Sequence, residues 1–287
     1  MQTRQVASRL ADSMSRAREL INWAKQELQN SSKDPALDAL ILLSEVTELS
    51  RTQVLLRDHI SEEEESRFTQ FIERRKQGEP IQYITGRAYF RNLTVQVGPG
   101  VLIPRPESES LISGVKAKIE NEPNPLVLDL GSGSGVLALA VATELPKARV
   151  VALERDSRAI YWLQKNISAL NANVAVIESD VSDFEGHGEF DVVIANPPYI
   201  PIGEKLPEEV NRFEPHVALF GGESGLEVPK LFVEAAARAL KPGGYLALEH
   251  HERQEEQVGE LLSEFFNEVA LHYDLNGRPR WSSGVRS

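Results

Sequence analysis

The 287-residue chain contains no cysteine. That excludes a disulfide scaffold, a thiol nucleophile, a C-x-x-C redox pair and any cysteine-ligated zinc or iron–sulfur centre, and it fits a reducing compartment. Long apolar runs are also missing: the longest, residues 136–142, spans seven residues, against the roughly 20 that a membrane helix needs. Residues 1–20 are polar and charged throughout, with no secretory apolar core. Positive charge is in deficit, with 31 Lys+Arg against 43 Asp+Glu and a net charge of −12. Most of the deficit lies in residues 81–287, which hold 19 basic and 29 acidic residues; residues 1–80 hold 12 and 14. Neutralising phosphates drives nucleic-acid affinity, so a long grip on nucleic acid is disfavoured. The expectation is a soluble, cytoplasmic, monomeric protein with no membrane partner and no direct nucleic-acid partner.

The chain is long enough for one large domain or two ordinary ones. Residues 1–80 read as helical. Ala36, Leu37, Leu40, Ile41, Leu43, Val46 and Leu49 recur at three- and four-residue spacings, which marks one buried helical face. Ser61 followed by Glu62, Glu63 and Glu64 predicts a helix start with a capping box, and Gly78 with Pro80 predicts its end. Ile81, Tyr83, Ile84, Tyr89, Phe90, Leu93, Val95 and Val97 favour strands separated by turn residues, so a hairpin is expected over 81–104. From residue 126 strand and helix patterns alternate. Strands are predicted at 126–130, 149–154, 174–178, 190–195 and 245–249, helices at 135–144, 157–170 and 228–240, and edge strands at 265–273 and 280–286. That alternation argues for an α/β domain with a mostly parallel sheet and ligand loops at the carboxyl ends of its strands.

Asp129-Leu130-Gly131-Ser132-Gly133-Ser134-Gly135 follows a buried strand and opens a helix. A pyrophosphate-binding loop would read G-x-G-x-x-G, whereas the spacing here is G-x-G-x-G. Asp129, just before the glycines, would repel an anion and suits a cationic ligand. S-adenosylmethionine carries both an ammonium and a sulfonium. Glu154 ends the second strand, where a carboxylate accepts both hydroxyls of a ribose. Asp180 and Val181 follow the third strand, where an adenine would lie.

The fourth strand runs into Asn196-Pro197-Pro198-Tyr199. The two prolines remove two N–H donors and hold the local carbonyls rigidly as acceptors. Asn196 adds a side-chain carbonyl, and Tyr199 a ring face. The set suits a planar NH₂ group, as in an amide or a nucleobase. His250 and His251 are two adjacent imidazoles with no third ligand at metal spacing, so no metal is expected.

Together these motifs resemble the HemK/PrmC family, the protein-(glutamine-N5) methyltransferases that modify peptide chain release factors. The resemblance extends to residues 78–86, to Leu102-Ile103-Pro104-Arg105-Pro106-Glu107-Ser108-Glu109, to Arg212-Phe213-Glu214-Pro215, to Glu223-Ser224-Gly225-Leu226, to Leu248-Glu249-His250 and to residues 274–278. It implies a Rossmann-like α/β methyltransferase domain at 105–287 and a small N-terminal helical, substrate-docking domain at 1–80, joined by the β-hairpin. The cofactor implied is S-adenosyl-L-methionine, held by Asp129, Gly131, Ser132, Gly133, Ser134, Gly135, Glu154, Asp180, Val181 and Asn196. The substrate implied is the glutamine of the Gly-Gly-Gln loop of a release factor, held by Asn196, Pro197, Pro198 and Tyr199. Glu154 stands where the family usually has aspartate, Ser108 where threonine is common, Val181 where some members have an aromatic, and His251 where glycine is common. Alternative readings are an adenine-N6 or other nucleic-acid amino methyltransferase, whose target is also a planar NH₂, a ribosomal-protein glutamine methyltransferase, and a non-catalytic binding protein.

Overall fold

The computed structural model describes residues 16–287. The expectation that residues 1–20 lack a secretory apolar core lies, for residues 1–15, outside them. In chain order the elements begin with helices α1 (Arg16–Glu27), α2 (Pro35–Thr47), α3 (Arg51–Leu55), α4 (Glu62–Lys76) and α5 (Ile81–Thr85). The hairpin β1 (Arg87–Phe90) and β2 (Leu93–Gln96), a 3-10 turn (Pro106–Ser108), α6 (Glu109–Ile119), β3 (Leu126–Leu130) and α7 (Val136–Glu144) follow. Then come β4 (Arg149–Glu154), α8 (Ser157–Leu170), β5 (Val174–Glu178), β6 (Phe190–Ala195), β7 (Ile200–Pro201), α9 (Glu208–Phe213) and β8 (Phe220–Gly222). The chain closes with α10 (Glu227–Ala239), β9 (Leu240–Glu249), α11 (Glu255–Ser263), β10 (Phe266–Tyr273) and β11 (Pro279–Arg286).

Two compact units result. One is residues up to Gly86 together with Glu208–Phe213; the other is Arg87–Pro207 with Glu214–Ser287. In the helical unit, Leu42, Leu43 and Val46 of α2 share a core with Leu20, Ala24, Phe68 and Ile72. The capping box forms in both directions: Glu64 N–H donates to Ser61 Oγ (3.2 Å), and Ser61 N–H to Glu64 Oε2 (2.8 Å). Buried Arg75 donates to Asp38 Oδ2 (2.7 Å), to Glu209 Oε2 (2.9 Å) and to the Glu79 carbonyl (2.9 Å). Arg212 donates to the Gln77 carbonyl at 3.0 Å. These bonds are why α9, remote in sequence, belongs to this unit. The strand expectation for Ile81, Tyr83 and Ile84 is corrected, because Ile81–Thr85 is a helix that ends at Gly86 in the left-handed conformation. Ile84 is buried in the helical core and Ile81 packs against it. That i, i+3 burial overrides their β-branched preference. The hairpin itself pairs Arg87↔Gln96 through Phe90↔Leu93.

The second unit holds a seven-stranded sheet in the order β10-β11-β9-β6-β3-β4-β5. Neighbours from β9 to β5 are parallel, while β11 and β10 run antiparallel on the β9 side. The chain passes from β3 outward through β4 to β5, then returns to β6 on the other side of β3. The switch point between β3 and β6 opens a crevice at their carboxyl ends. Leu128, Leu130, Val193 and Leu248 of the strands pack with Phe232 and Val233 of α10 and Val258 of α11. Strands β3 to β6 keep the expected bounds. The strand expected at 245–249 begins five residues earlier, at Leu240. Lys241-Pro242-Gly243-Gly244 belongs to this strand beside β6, with a register irregularity.

Candidate functional site

The turn after β3 is built on three left-handed glycines, Gly131 (φ 68°), Gly133 (φ 55°) and Gly135 (φ 81°). The N–H groups of Gly131 and Ser132 donate to the Leu153 carbonyl at 2.8 and 3.0 Å, hooking the turn onto the end of β4. A Cβ on Gly135 would overlap Leu163 Cδ1, whereas on Gly133 the nearest atom would be Val101 Cγ2 at 3.9 Å. Gly135 is therefore demanded by packing. Gly133 faces a cleft, whose wall also includes Val101, Leu102, Arg105, Ser108 and Phe232.

Of the residues expected at a cofactor, Gly131, Ser132, Gly133, Ser134, Glu154, Asp180, Val181 and Asn196 line this one cleft; Asp129 and Gly135 are not part of its wall. Asp129 is fully buried. Its Oδ2 accepts the Ala138 N–H (3.1 Å), and its Oδ1 has no hydrogen-bond partner. Burial pushes its carboxyl up to about 7. Glu154 accepts the Gly133 N–H at 2.8 Å and the N–H groups of Arg155 and Asp156 at 2.8 and 2.9 Å, tying the glycine turn to the end of β4. Asp180 accepts the N–H and hydroxyl of Ser182 (2.9 and 2.8 Å) and Arg155 Nη1 (2.5 Å). The Ser182 N–H, then Arg155, hold its carboxyl down at about 2.

Of the residues expected at the substrate, Asn196 and Pro198 line the cleft, while Pro197 and Tyr199 do not. Asn196 Nδ2 donates to Ser108 Oγ at 3.3 Å. An amide whose nitrogen is so engaged presents its carbonyl oxygen on the opposite side. The Tyr199 hydroxyl donates to Glu249 Oε1 at 3.1 Å, and Gln254 Nε2 donates to the Tyr199 carbonyl at 3.0 Å. Across the β7–β8 pair, a Cβ on Gly221 would lie 2.6 Å from the Pro198 carbonyl oxygen. The turn is thus braced on both sides. The arrangement can hold a planar NH₂ against rigid acceptors beside a cleft that combines apolar and acidic walls.

Several site residues are invisible to a local reading of the sequence. Glu214 Oε2 accepts the Ile103 N–H (3.0 Å) and its Oε1 accepts Arg105 Nη2 (2.5 Å), joining the segment before α6 to the one after α9. Ser108, Glu214 and Glu249 are signalled only as parts of the family landmarks; a charged residue closing the apolar run 245–248 is the signal that marks Glu249. His250 bonds Ser282 Oγ and the His251 carbonyl at 3.0 and 2.9 Å. Among the described residues there is no group of three His, Cys, Asp or Glu placed to hold a metal, and no helix long and apolar enough to cross a membrane.

Comparison with known proteins bears on this geometry. Residues 19–86 match the PrmC N-terminal domain family, and residues 107–212 the methyltransferase small domain family. The chain is 38% identical to the release factor glutamine methyltransferase of Streptomyces coelicolor, over 78% of this chain and 82% of that protein. It is 36% identical to the one of Mycolicibacterium smegmatis (88% and 91%) and 36% identical to the one of Bacillus cereus (92% and 97%). Among solved structures, the 16S rRNA N2 G1207 methyltransferase RsmC of T. thermophilus, in complex with AdoMet and guanosine, superposes with a TM-score of 0.52 and 25% identity. That match covers 70% of this chain and 50% of RsmC.

Proposed function

This chain belongs to the family of release factor glutamine methyltransferases, and we propose that it methylates the side-chain amide nitrogen (N5) of the glutamine in the Gly-Gly-Gln loop of a peptide chain release factor. The methyl donor is S-adenosyl-L-methionine. One observation carries the reading: Asn196, at the end of β6, and the glycine turn, at the end of β3, open from adjacent strands into the same cleft.

The residues present fit the donor. Gly133 leaves room where any side chain would intrude, and Glu154 places a carboxylate at the end of β4. The unpartnered Oδ1 of buried Asp129 favours a cationic ligand over a pyrophosphate. When bound, S-adenosylmethionine supplies a methyl group on a sulfonium, which leaves as a neutral thioether and so requires no acid. Asn196 Oδ1 and the Pro197 carbonyl accept the two amide hydrogens of the glutamine and aim its nitrogen into the cleft. As positive charge develops on that nitrogen, both acceptors stabilise it. Holding the reactants in line is worth about 7–11 kcal/mol of barrier, and positioning is the main device because an amide nitrogen is a poor nucleophile. Burial, with Glu249 alongside, pushes the Tyr199 phenol far above its ordinary value. Tyr199 therefore stays a donor to Glu249 and is no base, and the proton leaves to water. The helical unit docks the body of the factor, and the reaction takes place in the cytoplasm.

The test uses labelled S-adenosylmethionine with release factor, ribosomal protein and duplex DNA in separate incubations. Label on the release factor glutamine is expected. Label on DNA alone, or on the ribosomal protein alone, overturns the reading.

A further inference from the structure

The Asn-Pro-Pro-Tyr turn rests on a small polar group behind the cleft wall. Glu249, at the end of β9, is fully buried, and Ser108 is nearly so. Glu249 Oε1 accepts the Tyr199 hydroxyl (3.1 Å), while its Oε2 has no hydrogen-bond partner. Ser108 Oγ accepts Asn196 Nδ2 (3.3 Å). The Ser108 hydroxyl is also close enough to Glu249 to favour its ionised form, without the geometry of a hydrogen bond.

A serine hydroxyl has one hydrogen to give. If that hydrogen points at Asn196, the amide must turn its carbonyl inward to accept it, and its NH₂ then faces the cleft. If it points at Glu249, Ser108 presents a lone pair to Asn196 Nδ2, and the Asn196 carbonyl faces the cleft. Only the second arrangement offers an acceptor to a substrate NH₂. Ionised Glu249 is acceptor-only, so it draws the hydroxyls of both Tyr199 and Ser108 toward itself.

Resting on the function proposed above, we infer that Glu249 is a positioning residue that sets the direction of the Tyr199 hydroxyl and, through Ser108, the orientation of the Asn196 amide. The groups that face it are Tyr199 after β6, Glu107 and Ser108 in the turn before α6, and Arg280 on β11. Burial raises the Glu249 carboxyl to about 7; Ser108, Arg280 and Tyr199 oppose the rise, and Glu107 adds to it. Protonation turns one oxygen into a donor and removes the direction, so orientation is lost as pH falls through 7.

Glu249→Gln keeps the shape and the bond to Tyr199 but replaces the other, unpartnered oxygen by an NH₂ donor. We expect kcat on release factor, at saturating cofactor and factor, to fall about tenfold or more, the scale of the substrate hydrogen bond lost when the Asn196 carbonyl turns from the cleft. KM is expected to move less than kcat, and the fall of kcat below about pH 7 expected of the wild type should be absent from the variant. Ser108→Ala is expected to lose kcat similarly, and Ser108→Thr, which restores the hydroxyl, to recover it to within about twofold. Wild-type kcat in Glu249→Gln, or an unchanged acid limb, overturns the inference. If Glu249→Gln does not melt cooperatively, the Ser108 pair decides, and full activity of Ser108→Ala overturns it. A wild-type protein that labels no release factor fails the proposed function and this inference together. Wild-type labelling with Glu249→Gln at full rate removes the inference alone.

Discussion

Asp129→Asn tests how the glycine turn is supported. Burial raises the carboxyl of Asp129 from 3.8 to about 7, partly offset by the Ala138 N–H and the Ser132 side chain. The folded chain therefore holds this proton up to about pH 7, and the unfolded chain only to about pH 4. The associated stability is fully present below pH 4 and is lost as pH rises to 7. At 1.36 kcal/mol per pH unit, keeping this carboxyl buried costs the fold about 4 kcal/mol above pH 7, where it is ionised, and about 2 kcal/mol at pH 5, where it must be protonated. Asparagine keeps the oxygen that accepts the Ala138 N–H and does not titrate. Its NH₂ takes the position of the unpartnered oxygen, at a pH-independent cost of about 1–3 kcal/mol. The stability of the variant relative to wild type should therefore rise by about 3 kcal/mol between pH 5 and pH 8, whatever that cost is. Urea unfolding without cofactor at the two pH values measures it, and the other titrating groups cancel in the comparison. An equal difference at both pH values would refute the reasoning, because Asp129 would then hold one protonation state throughout. At pH 8, where Asp129 is ionised, the stabilised variant should bind S-adenosylmethionine more weakly, since it lacks the negative charge beneath the glycine turn.

Other substitutions separate catalysis, cofactor binding and folding. Asn196→Ala should reduce kcat on release factor by about 5- to 150-fold, the equivalent of about 1–3 kcal/mol for an unmade buried hydrogen bond, with its melting temperature nearly unchanged; wild-type turnover would contradict the acceptor role. Gly133→Ala and Gly135→Ala should behave differently although both positions are left-handed. At Gly133 the methyl points into the cleft, so cofactor affinity falls while stability drops by only about 1–2 kcal/mol. At Gly135 the methyl meets Leu163, so overpacking adds about 1–3 kcal/mol to the same backbone cost. Arg75→Ala leaves Asp38 buried without its partner and should destabilise the helical unit by about 3–5 kcal/mol, read as a lower denaturant midpoint.

Strands β3 to β6 were legible because each is a short apolar run closed by Gly, Asp, Asn or a charged residue. The cofactor and substrate motifs were legible for the same reason, since the ligand ends of parallel strands are where such punctuation falls. Ile81–Thr85 was misread because its β-branched residues favour strands locally, while burial on a helical core is a tertiary effect. The membership of α9 in the helical unit depends on Arg75 and Glu209, 134 residues apart. The supports of the site are equally non-local. Asn196 lies 88 residues from Ser108, Arg105 lies 109 from Glu214, and Tyr199 lies 50 from Glu249. No periodicity reports such pairs. Asp129 was recognised as part of the glycine turn, but only the fold shows that it lies beneath the turn and off the cleft wall.

The acids of the two units also differ in what they hold. In the helical unit acids meet side-chain cations: Asp38 with Arg75, Glu64 with Arg57, Glu65 with Arg16, Glu79 with Arg74 and Glu27 with Lys76. Each such acid comes with a base, so net charge stays near zero. In the α/β unit many acids instead accept backbone N–H groups. Glu154 takes those of Gly133, Arg155 and Asp156, Asp191 that of Leu126, Glu214 that of Ile103, and Asp274 those of Asn276 and Arg278. Loops at the ends of a parallel sheet leave N–H donors without ladder partners, and a carboxylate is the strongest acceptor a side chain offers. Three of these four also meet a cation, Asp191 with Lys241, Glu214 with Arg105 and Asp274 with Arg280, so these carboxylates serve the loops and the ion pairs together. Selection of a protein amide over a nucleobase has to come from the fit of the substrate to the Asn196 turn and from docking of the substrate body.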